Sequence, residues 1–148
     1  MMTMSPLFAL LAGAAIATQA TMNAQLGVLL RSAMLGTGVA FLVGLGFVLL
    51  AFLLLSRDFP SLEAVRSVPL YLWFSGGALS AFAISTYFYL IPQMGIGSMM
   101  SWALTGQVVV AMLAGHFGWF DLPVQPINWP RFAGVVALVI GIVLINGD

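Results

Sequence analysis

The 148 residues are 62% apolar and 5% charged, with four arginines, four acids, one histidine, zero net charge and no cysteine. Soluble domains carry roughly 25% charged residues, so nine ionisable side chains cannot clothe a water-exposed surface of this size. Balanced charge without runs of one sign excludes an electrostatic footprint for nucleic acid, and the lack of cysteine excludes disulfides, thiolate metal sites and thiol nucleophiles.

A helix needs about twenty mostly apolar residues to cross a bilayer, and the chain offers five such stretches. They predict an all-α, polytopic membrane helix bundle with five transmembrane helices, forming a single transmembrane domain over residues 1–148. The first span covers about 6–30 and stops at Arg31. Its apolar start has no basic residue before it, so it is expected to be a retained helix rather than a cleaved signal. The second covers 33–55 and stops at Arg57-Asp58-Phe59-Pro60. The most polar stretch, Ser56 to Val68, holds Arg57, Asp58, Glu63 and Arg66. Pro69 suits a first helical turn, and the third span runs over about 70–91. Pro92-Gln93-Met94-Gly95 reads as a tight turn. The fourth span covers 96–115, and a segment with three prolines and the interface-type aromatics Phe117, Trp119, Phe120 and Trp129 follows. The fifth covers about 129–145. Runs of this length without in-out alternation exclude β-barrel strands. Five spans place Arg57, Arg66 and Arg131 on the N-terminal side and Arg31 on the other, a weak bias towards a cytoplasmic N-terminus.

Several short pieces occur in order along nearly the whole chain: Ala12-Gly13, Gln19-Ala20-Thr21-Met22-Asn23 and Leu26-Gly27, then Phe41-Leu42-Val43-Gly44. Trp73-Phe74-Ser75-Gly76-Gly77, Pro92-Gln93-Met94-Gly95 and Thr105-Gly106-Gln107 follow, then His116-Phe117-Gly118-Trp119-Phe120 and Arg131-Phe132-Ala133-Gly134-Val135. In this order the sequence resembles the YdcZ-type family of the drug/metabolite transporter superfamily, related to the small multidrug resistance exporters. The resemblance implies a multi-pass inner-membrane exporter working as a half-transporter, paired in opposed orientations with a second copy or with a paired homologue. It also implies a last helix used for dimerisation.

Polar groups inside spans usually face the bundle interior or a water-filled cavity. Gln19 and Asn23 are four apart and so share one helix face. They either hold neighbouring helices together or line a substrate pathway, where amides both donate and accept. Gln107 is the third pathway candidate, open to the same two readings. Trp102 either lines the path or packs. Ser101 and Thr105 are expected to bond back to helix carbonyls. Tyr71, Trp73 and Tyr89 fit an interface belt, while Phe82, Tyr87 and Phe88 either stack on a substrate or meet lipid and neighbouring helices. Gly76 and Gly77, and in the last span Gly134 and Gly141, give small faces on which helices can pack.

No Asp, Glu, Lys, Arg or His lies in the middle of any span. The small multidrug resistance exporters use a carboxylate in their first helix; here that helix offers Gln19 and Asn23, so their proton coupling does not carry over. His116, near Asp121, reads as an interfacial residue rather than a proton carrier. No catalytic constellation and no metal-ligand cluster is present, so neither enzyme activity nor a metal or other cofactor is expected. The leading function is small-molecule export by an antiparallel dimer, with membrane lipid and an unidentified substrate as partners. The alternatives are a non-transporting membrane subunit of a larger complex and a small channel. The lack of embedded charge leans the cargo towards neutral, lipophilic or weakly polar molecules.

Overall fold

The computed structural model describes residues 4–55, 59–121 and 123–147; Arg57, counted above towards the charge bias, lies outside them. Six α-helices follow one another: α1 (Ser5–Leu29), α2 (Ala33–Leu55), α3 (Leu62–Ser67), α4 (Leu70–Met94), α5 (Ile96–Phe117) and α6 (Trp129–Ile145). No strand occurs among the described residues. The chain is an all-α membrane protein. Helices α1, α2, α4 and α5 have 22 to 25 residues and are apolar enough to cross a bilayer. At 1.5 Å per residue, α6 with 17 residues reaches about 25 Å, the lower end of what spans a hydrocarbon core.

Local chemistry sets the helix ends. Helix α1 stops in a Schellman arrangement: the N–H of Ser32 donates to the carbonyl of Gly27 (2.8 Å) and that of Arg31 to Val28 (3.0 Å). The left-handed position is taken by Arg31, φ 53. Ser32 then caps α2, its hydroxyl accepting from the N–H of Leu35 at 3.2 Å. The short α3 was not anticipated in the polar stretch. Ser61 caps it by accepting from the N–H of Ala64, and Glu63 and Arg66 sit at the ends that suit the helix dipole.

The turn expected at Pro92–Gly95 is displaced. Helix α4 continues through Pro92 to Met94 and breaks only at Gly95, φ 82. Proline costs a helix the bond to the carbonyl four residues back. Two residues from the end of α4 that loss is small, and it is a glycine-type dihedral at Gly95, not proline, that stops the helix. Helix α5 likewise extends past the expected Gly115 to Phe117, where Gly118 (φ 62) takes the left-handed cap. Asn128 caps α6 by accepting from the N–H of Arg131 at 3.0 Å, and Pro130 occupies the first turn, where its missing donor is not needed.

Two compact units divide between Gln93 and Met94. In the first, Ala20, Ala24 and Gly27 of α1, Gly36 and Thr37 of α2, and Phe88 and Ile91 of α4 are buried. The α1 and α2 backbones touch at Gly27 and Gly36: a Cβ on Gly36 would lie 3.1 Å from the Gly27 Cα and 3.2 Å from the Asn23 carbonyl oxygen. In the second unit α5 packs on α6, with Met99 and Ile142 buried. Beyond these small cores the apolar side chains face outward. Helix α2 carries no buried residue after Thr37, as suits a surface meant for hydrocarbon rather than water.

Candidate substrate pathway

Gln19 and Asn23 are joined to each other: Asn23 Nδ2 donates to Gln19 Oε1 at 2.7 Å. Their pair flanks the packed face of α1 formed by Ala20, Ala24 and Gly27; Asn23 is half-buried and Gln19 exposed. Gln19 lies two residues beyond the midpoint of α1 (Ser5–Leu29), about 3 Å along the axis. Among the described residues, the Gln19 amide nitrogen and the Asn23 amide oxygen make no bond. The pair therefore keeps unspent donors and an acceptor beside the packed face of α1, Gln19 near mid-helix and Asn23 about 9 Å beyond it.

The hydroxyls nearby are spent locally. Thr18 and Thr21 bond back to the carbonyls of Ala14 (2.9 Å) and Ala17 (3.0 Å). Ser101 and Thr105 do the same on α5, towards Gly97 (2.9 Å) and Ser101 (3.0 Å), as their spacing indicated. Trp102 and Gln107, in the second unit, are both exposed. Five positions apart, they stand about 140° from each other around α5.

One recess in each unit is lined by other residues. The first, of ≈ 280 Å³, lies at the α1–α2 tip and includes Arg31, Ser32, Phe88, Tyr89 and Gln93. The second, of ≈ 400 Å³, runs between α5 and α6 and includes Met112, Gly115, Arg131 and Gly134. Gln19, Asn23, Trp102 and Gln107 line neither.

A family model described as "Putative inner membrane exporter, YdcZ" matches residues 4–144, from the start of α1 to the last turn of α6. The chain belongs to this family. No curated protein and no solved structure matches it. It is thus a multi-pass inner-membrane protein of an exporter family, a transporter class rather than an enzyme class.

Three polar residues that sequence reasoning passed over make side-chain bonds between helices in this family member. Ser85 Oγ donates to Thr37 Oγ1 (3.2 Å), linking α4 to α2 inside the first unit. Asn146 Nδ2 donates to Ser101 Oγ (3.3 Å) and to the carbonyl of Ile142 (2.8 Å), tying the end of α6 to α5. His116, in the last turn of α5, holds the segment leading into α6, its Nδ1 accepting from the N–H of Ile127 at 3.2 Å. Phe88 belongs to the core and Phe82 faces outward. Of the glycines singled out for packing, a Cβ on Gly76, Gly77, Gly134 or Gly141 would meet no described atom within 4 Å. The close approach inside the chain falls on Gly27 and Gly36 instead.

Proposed function

We propose that the chain is a half-transporter for a neutral or weakly polar small molecule, working as an antiparallel dimer with a second copy or a paired homologue. The reading takes the chain as a single transmembrane domain of five spans. Its candidate pathway residues are Gln19, Asn23 and Gln107, with Trp102 on a different face of α5 from Gln107. The observation that carries the proposal is the amide pair on α1 with its unspent donors and acceptor. Unsatisfied polar groups at membrane depth cost several kcal/mol each unless protein, water or ligand meets them. Many transporters place their site at the midplane between inverted repeats, and two oppositely oriented copies would bring two such pairs there. Gly76, Gly77 and Gly141, open within one chain, would then give the partner's helices room for close approach.

The test is a ligand screen by thermal stabilisation on the purified chain, followed by transport of the hits in vesicles. A ligand at a hundred times its Kd adds about 2.7 kcal/mol to folding. Gln19→Leu and Asn23→Leu should abolish stabilisation and transport while the protein remains inserted and folded. Leucine variants that lose thermal stability yet transport normally in the folded fraction would leave the amides as helix glue. That result would return the chain to the class of non-transporting subunits.

A further inference from the structure

The groove between α5 and α6 has a composition that the export reading does not use. Val108, Ala111, Met112 and Gly115 line it from α5, spaced i, i+3, i+4 and i+7, so they form one continuous stripe. Gly134 faces them from α6 and leaves the space unfilled. At one end stands Arg131. Its Nη1 donates to the carbonyl of Pro126 (3.2 Å) and its Nη2 to Gln125 Oε1 (2.8 Å). Gln125 is itself anchored, its N–H donating to the carbonyl of Gly115 at 2.7 Å. The guanidinium is thereby fixed at the mouth of an apolar groove.

Both acceptors are neutral. Among the described residues Arg131 has no carboxylate partner, and two of its five N–H donors are used. Beside it Trp129 and Phe132 pack edge to face, centroids 5.7 Å apart, with Trp129 largely exposed. Exposed tryptophan at a helix end marks headgroup depth. The groove thus begins at headgroup level with an uncompensated cation and runs along α5 into the apolar layer. We propose that it is a binding site for one anionic phospholipid, with the phosphate on Arg131 and an acyl chain along the Val108–Gly115 stripe. A free phosphate would leave the stripe uncovered, and a zwitterionic lipid would leave part of the charge unanswered. The proposal does not rest on the transport reading.

The test compares phosphatidylglycerol with phosphatidylcholine of identical acyl chains, by native mass spectrometry of the full chain, with glycerol phosphate as the chainless headgroup. The wild type should favour phosphatidylglycerol about fivefold, the factor expected from roughly 1 kcal/mol per interfacial cation, and should not retain glycerol phosphate. Arg131→Gln should bind the two lipids equally, and Arg131→Lys should keep the preference. Arg66→Gln, a charge removed from α3, should change nothing. Ala111→Phe, which fills the groove, should lower occupancy by both lipids at least fivefold. Equal binding by the wild type, a preference surviving Arg131→Gln, or a loss as large in Arg66→Gln would overturn the site. Unchanged occupancy in Ala111→Phe would remove the acyl chain from the groove.

Discussion

Thr37 is buried to 4% relative exposure, donates to the carbonyl of Ala33 at 3.0 Å and accepts from Ser85. A hydroxyl bond between membrane helices averages about 0.6 kcal/mol. Thr37→Val keeps the shape and should lower stability by about that much in equilibrium unfolding from mixed micelles. Adding Ser85→Ala should then cost almost nothing more, because the bond is already gone. Arg31 sits in the left-handed region where glycine is at ease, at a cost of about 1 kcal/mol. Arg31→Gly should therefore stabilise the chain by about 0.5–1 kcal/mol in the same assay. The sequence shows Gln19 and Asn23 as one face because spacing along a helix needs no tertiary knowledge. It does not show Thr37 with Ser85, or Ser101 with Asn146. A small polar residue in an apolar helix looks alike whether it bonds back or across, and these partners lie 48 and 45 positions away.

At the scale of elements, the contact of α1 with α2 depends on two glycines. A methyl group on Gly36 would press on Gly27 backbone at 3.1–3.2 Å, and backbone yields less readily than side chains. Gly36→Ala should cost about 1–3 kcal/mol in thermal melts. Gly77→Leu meets open space within the chain, so it should leave the single-chain fold intact. If α4 packs on a second chain there, the same variant should shift the oligomer towards monomer in light scattering. His116→Phe removes the acceptor of the Ile127 N–H. Amide exchange at Ile127 should quicken while that of Gln125, bonded to Gly115, stays slow. Arg31 and Arg57-Asp58-Phe59-Pro60 bracket the apolar stretch of α2 in the sequence, whereas the start of α6 was legible only as about 129. The end of α4 was misplaced because proline near a C-terminus was read as a stop when it is tolerated there. Gly76 and Gly77 outshone Gly27 and Gly36 because contact depends on the facing helix, which no single-helix pattern reveals.

At the scale of the molecule, most large apolar side chains of α2 and of the first half of α4 are exposed, and only lipid or further protein can cover them. Five spans would put the termini on opposite faces. Single cysteines at Met4 and Gly147 should accordingly be labelled by an impermeant reagent from opposite sides in any one molecule. Labelling from one side would reduce the spans to an even number, with α6 the helix to doubt at 17 residues. The positive-inside bias rests on few arginines, so Arg66→Ala with Met34→Lys should raise the population whose N-terminus is outside. An orientation unmoved by that exchange would count against a dual-topology dimer. Composition made membrane residence legible at once. The assembled pathway was not, since it depends on what lies against the exposed surface.

The hydrogen-bonded tip between α1 and α2 also bears on how the protein enters the membrane. Its three residues, Leu30 to Ser32, already have backbone partners at Leu26, Val28 and Gly27, so crossing strips little water from the peptide groups. The remaining burden is the single guanidinium of Arg31. During synthesis the pair can leave the translocon as one prefolded hairpin, with one charge to carry or to leave behind. The side on which that charge ends then stays open to the arginines made later, Arg66 and Arg131 among them.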